Sequence, residues 1–68
     1  MDQTITLKDK RYSIIGYVIV KDNGNKILKD KRYSILGYYD KKRDVTMDKR
    51  YFVIAHGDVL TTLLNVDL

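Results

Sequence analysis

Apolar residues gather in three long runs, Tyr12 to Val20, Tyr33 to Tyr39 and Tyr51 to Ala55, each rich in β-branched and aromatic side chains. That composition predicts a strand in each run. Shorter stretches, Thr4 to Leu7, Lys26 to Lys29 and Val45 to Met47, predict strands between them. Asn23-Gly24 joins the first long strand to the next short one and predicts a type I′ hairpin turn, whose two central residues take positive φ. Asp40-Lys41-Lys42-Arg43-Asp44 stands in the same place further on. The fold expected from this pattern is all-β, one twisted antiparallel meander of about six strands.

Side chains sort by alternation along each long strand. Tyr12, Ile14, Gly16, Val18 and Val20 fall on one face, and Ser13, Ile15, Tyr17 and Ile19 on the other. The second strand sets Tyr33, Ile35, Gly37 and Tyr39 against Ser34, Leu36 and Tyr38; the third sets Tyr51, Val53 and Ala55 against Phe52, Ile54 and His56. Both faces are apolar, so each needs a cover. Residues 58–64 predict one, as a short helix capped by Asp58 with Val59, Leu60, Leu63 and Leu64 inward, or as a further strand. Two turns of helix hide little. A second chain or strong curling of the sheet is expected to hide the rest, and Ile14, Val18, Ile35, Tyr39 and Val53 form the expected self-association face.

The same phrase recurs as Lys8-Asp9-Lys10-Arg11-Tyr12, Lys29-Asp30-Lys31-Arg32-Tyr33 and Met47-Asp48-Lys49-Arg50-Tyr51, so three hairpin repeats make up the sheet. Their approximate bounds are 7–27, 28–45 and 46–57, followed by a C-terminal segment 58–68, all within a single domain 1–68. Repeat spacing shortens from 21 residues (Asp9 to Asp30) to 18 (Asp30 to Asp48), which fits a shorter strand and loop. Each Asp-Lys-Arg-Tyr step predicts a turn in which the aspartate accepts from backbone N–H groups two residues on. Gly16 and Gly37 sit inside strands at one repeat position, which predicts a bulge there or a tyrosine ring lying over the backbone; Ala55 or Gly57 takes this part in the third copy.

The pattern Asp-x-x-Tyr-x-x-x-Gly-Tyr, from Asp9 to Tyr17 and from Asp30 to Tyr38, resembles a family of bacterial β-hairpin repeats with tandem units of that form. The resemblance covers Lys8 to Gly57 and implies an extended, largely single-layer sheet, with no activity or ligand attached to it. The third copy departs from it, with Ala55-His56-Gly57 where Gly-Tyr is expected, as a terminal capping repeat would.

Size and charge narrow the picture further. At 68 residues without cysteine and with one histidine, the chain lacks the disulfides and metal ligands that small scaffolds use to supplement a core. Close packing or self-association remains. All 9 acidic residues are aspartates, which favours turns over helix. The 13 basic residues give a net charge of +4 and all lie before residue 57. No apolar run reaches the ~18 residues of a membrane span, and Met1-Asp2-Gln3 does not open a signal peptide, so a cytoplasmic protein without a membrane partner is expected.

Catalysis needs a positioned nucleophile or an acid–base pair. Ser13 and Ser34 occupy one repeated structural position, His56 stands alone apart from a nearby Asp58, and no phosphate-cradling glycine loop is present. Asp22-Asn23-Gly24-Asn25 lacks the glutamate and alternating carboxylates of a calcium loop. The expectation is no enzyme, no cofactor and no metal. The leading reading is a structural or protein-interaction module that forms a homodimer or another homo-oligomer, or binds a different protein. The alternative is a small basic nucleic-acid-binding β protein, a phage or mobile-element regulator. Its contacts would be Lys10, Arg11, Lys31, Arg32, Lys49 and Arg50, which a meander places along one end of the sheet with Tyr12, Tyr33 and Tyr51 behind them.

Overall fold

The computed structural model describes residues 1–64, so the end of the C-terminal segment, 65–68, lies outside the described residues. Strands β1 (Gln3–Lys8), β2 (Ile14–Val20), β3 (Lys26–Asp30), β4 (Ile35–Asp40), β5 (Val45–Asp48) and β6 (Val53–His56) pair in chain order, each antiparallel to the next. The result is the expected open meander, with β1 and β6 at its edges.

The long strands begin later than the apolar runs suggest, at Ile14, Ile35 and Val53. Tyr12, Tyr33 and Tyr51 take φ of 64°, 68° and 69°, the left-handed region, and end the turn instead of opening the strand. The Asn23-Gly24 turn also differs from the expected type I′. Only Gly24 has positive φ (90°), while the Lys21 N–H donates to the Asn25 carbonyl at 2.8 Å and the Gly24 N–H to Lys21 at 2.9 Å. This is a type I turn closed by a left-handed residue, a three-residue loop. The Asn23 side chain accepts from the Asn25 N–H (2.9 Å), a local bond that holds Asn23 itself in the ordinary right-handed turn geometry.

Each repeat carries a bulge. The register slips between Leu7 and Lys8, between Leu28 and Lys29, and between Thr46 and Met47, leaving Ile15, Leu36 and Ile54 as the extra residues. A bulge shifts the alternation by one. Ile14, Ile35 and Val53, opposite Lys8, Lys29 and Met47, therefore lie on the other face from Gly16, Gly37 and Ala55. The five residues expected to form one self-association face are divided: Val18 and Tyr39 on one side, Ile14, Ile35 and Val53 on the other. Strict alternation run through the bulge joins them in error.

The side with Val18 and Tyr39 is covered. Leu60–Leu64 forms a 3-10 helix over β3 and β4, shorter than the expected helix at 58–64. Leu60 closes a small core with Val18 and Leu28, flanked by Leu7, Val20, Leu36, Tyr39, Leu63 and Leu64. Asp58 accepts from the Leu60 N–H at 3.3 Å, as its expected capping role requires, and pairs with Lys26 at 2.6 Å. Thr46, fully buried, ties the segment to the sheet: its Oγ1 donates to the Gly57 carbonyl (2.7 Å) and accepts from the Val59 N–H (3.1 Å). Leucine side chains, not tyrosine rings, lie over the two strand glycines, Leu64 at Gly16 and Leu63 with Leu60 at Gly37.

Candidate interaction surfaces

The three Asp-Lys-Arg-Tyr turns are built alike. Asp9 Oδ1 accepts from the Arg11 and Ser13 N–H groups at 2.8 and 3.0 Å. Asp30 holds Arg32 and Ser34 at 2.8 and 3.0 Å, and Asp48 holds Arg50 and Phe52 at the same two distances. The tyrosine N–H closes each turn onto the aspartate carbonyl at 3.0–3.1 Å. The closing backbone bond is that of the Gly24 N–H to the Lys21 carbonyl, with tyrosine where that turn uses Gly24. A left-handed non-glycine residue costs about 1–2 kcal/mol. The chain accepts that cost three times in one position.

What the tyrosine position brings is a ring stack across the repeat. Tyr33 lies on Tyr17 with centroids 4.7 Å apart and planes 13° apart; Tyr51 lies on Tyr38 at 4.4 Å and 8°. Each ring reaches from its turn over one intervening strand to the second tyrosine of the preceding repeat. The Lys29 ammonium sits 4.9 Å from the Tyr33 centroid, adding a cation–π contact. Sequence reading placed these tyrosines in strands and missed the stack; the signal available to it was the fixed separation of Tyr12 from Gly16-Tyr17, repeated at Tyr33 and Gly37-Tyr38.

By the ladder register, the stacks share their face with Ile14, Ile35 and Val53, which remain 42%, 36% and 48% exposed. No described element covers this face. Its Met47 is buried, and Arg43 donates to the Met47 sulfur at 3.6 Å. Lys10, Arg11, Lys31, Arg32, Lys49 and Arg50 are all exposed on the three turns at one end of the sheet, and none forms an ion pair among the described residues. The aspartates between them point to backbone N–H groups and leave these six cations outward.

Ion pairs lie at the far end instead. The Met1 ammonium pairs with Asp22, and Arg43 Nε with Asp40 Oδ2 at 3.0 Å. The Arg43 side chain, helped by the Arg43 and Lys42 N–H groups, holds the Asp40 carboxyl below its usual range against the opposing effect of burial. The Tyr39 hydroxyl donates to Asp44 at 2.5 Å, and that bond, with burial and the Asp44 charge, pushes the phenol up to about 12. Tyr38 is also raised, by hydrogen bonding with Tyr51, burial and the Tyr51 charge. A phenol raised above its unfolded value contributes stability that is complete below about pH 10 and is lost as the pH climbs toward 12. Tyr39→Phe is therefore expected to remove the latest step of the ultraviolet phenolate titration and to flatten the alkaline loss of stability; absorbance lost near pH 10 instead, with the latest step kept, would show that the Asp44 bond does not form.

His56 is exposed at the end of β6, and no cluster of three metal-ligating side chains occurs among the described residues. No described helix is long and apolar enough to cross a membrane. Ser13 and Ser34 leave the turns with their N–H groups held by aspartates, positions that serve the hairpin. Fold and surface together define an open-edged sheet of hairpin repeats, one face covered and one bare. No protein-family model, curated protein or solved structure matches the chain.

Proposed function

We propose that the chain is a non-enzymatic structural or protein-interaction module that self-associates through its bare sheet face. One observation carries the reading: the C-terminal helix covers only one side of the sheet, while Ile14, Ile35 and Val53 stay exposed on the other beside the stacked tyrosines. Fully burying one such side chain is worth about 1.5–3 kcal/mol. An interface of ordinary size takes roughly 800 Å² from each partner, and the chain exposes 5033 Å². Two copies meeting about a two-fold axis would bury Ile14, Ile35 and Val53, with Lys8 and Lys29 beside them in the same row. A chain without disulfides gains from that burial a supplement to its small core.

Light scattering across a concentration series tests the proposal. The wild type is expected to run as a dimer or higher oligomer with a concentration-dependent melting point, and Ile35→Lys to stay folded but run at lower mass at the same concentration, having lost the face contact. A wild type that stays monomeric at high micromolar concentration, with a fixed melting point, would remove the reading. The outward cations favour a second reading, nucleic-acid binding, in which the six side chains would neutralise at most about six phosphates. Nucleic acid added to the same samples decides between them. A low-salt mobility shift that Arg11→Ala, Arg32→Ala and Arg50→Ala together abolish would establish binding at the basic end.

A further inference from the structure

The repeat leaves one tyrosine without the partner its position implies. Tyr33 and Tyr51 pass over β3 and β5 to stack on Tyr17 and Tyr38. Tyr12 has the same Asp-capped turn and the same left-handed backbone, φ 64°, but the strand that would receive its ring lies beyond β1, where the sheet ends. It has no stacking partner and is 82% exposed, against 54% and 63% for Tyr33 and Tyr51. Backbone strain persists where the surroundings repay it, and for Tyr12 the described chain supplies no ring to do so. At the opposite edge the deficit is reversed. His56 holds in the third repeat the position of Tyr17 and Tyr38, with an exposed aromatic side chain, and among the described residues no tyrosine returns onto it.

We infer that the two edges are complementary, and that β1 of one copy adds to β6 of another with Tyr12 stacked on His56. The register follows from the existing ladder. Tyr17 stands opposite Lys29 and Gly16 opposite Asp30, and Tyr38 stands opposite Met47. In the joined sheet His56 would stand opposite Lys8, and Ala55 opposite Asp9, of the next copy. Both edges have the required direction, because β6 runs antiparallel to the incoming β1 in a six-strand meander. The chain leaves β6 toward the helix over β3 and β4, so no described element blocks the outer edge of β6. An edge strand with open backbone groups pairs readily; here the ring stack would select partner and register. Such a contact joins different patches on the two copies, so it propagates or closes a ring, whereas the face contact proposed above stops at a pair. The inference rests on the repeat geometry and stands apart from the face reading.

Four variants separate the two contacts: Tyr12→Gly and His56→Tyr at the edges, Ile35→Lys as the face control and Tyr33→Gly as the internal-stack control. Light scattering of Ile35→Lys is expected to show mass still growing with concentration. Adding Tyr12→Gly should stop that growth while raising the monomer melting point, because glycine relieves the left-handed backbone and no internal stack is lost. Tyr33→Gly, which does lose an internal stack, should lower the melting point. His56→Tyr restores the ring pair seen twice within the chain and should move association to a concentration about two- to ten-fold lower. Growth unaffected by Tyr12→Gly, or association unmoved by His56→Tyr, would overturn the edge contact and leave the face reading standing. Ile35→Lys that is monomeric at every concentration would also overturn it.

Discussion

Leu28→Ala is expected to remove most of the stability of this protein. Leu28 is fully buried, lies between Val18 and Gly37 on the neighbouring strands, and has Leu60 above it. The core contains few other buried apolar side chains, so neither strand nor helix has a neighbour able to fill the space. Leucine-to-alanine changes at such sites cost about 2–5 kcal/mol. A domain of this length holds roughly 3–10 kcal/mol in total, at about 0.05–0.15 kcal/mol per residue. In thermal denaturation the melting point should fall by roughly 10 °C or more. A loss of less than about 1 kcal/mol would mean that the core lies elsewhere.

Gly37→Val should come next in size, by overfilling. A Cβ at residue 37 would lie 2.6 Å from the Met47 carbonyl oxygen and collide with a Leu63 methyl. Leu63 can turn aside, but the carbonyl belongs to the β4–β5 ladder and cannot move without breaking the pairing. Valine adds two further methyls under the helix. A cost of about 1–3 kcal/mol is expected, seen as a lower melting point and as shifted Leu60 and Leu63 methyl resonances. The comparison is Ala55, which holds the same repeat position on β6. Ala55→Gly should cost only the ~0.5–1 kcal/mol that glycine brings to a strand. Equal effects at the two positions would show that the helix does not press on Gly37.

Much of the architecture was legible because repetition and turn chemistry are local. The strand count, the meander order, the aspartate-capped turns and a C-terminal cover all follow from residues close in sequence, such as Asp9 with Arg11 and Ser13. Gly16 and Gly37 pointed to a bulge, and the register slips beside both. The candidate site was less legible. Placing Ile14 with Val18 and Ile35 with Tyr39 required unbroken alternation, and a single inserted residue per repeat reverses it. The left-handed tyrosines were hidden for another reason: propensity assigns that backbone to glycine or asparagine, whereas the shared aspartate-capped turn puts tyrosine there three times, with a ring stack across a strand at two of them.

By itself, then, the sequence determined a basic, cysteine-free, three-repeat antiparallel sheet with its Lys-Arg pairs on the turns, because period-two patterning, turn residues and internal repetition act over a few residues. Only the tertiary structure decided which face is bare, that Leu60 and Thr46 anchor the cover, and that Tyr12 and His56 stand at opposite edges without the partners their repeats possess. Those outcomes depend on where a bulge shifts the pleat and on which strands exist beyond an edge. Both are set by contacts between residues far apart in the chain.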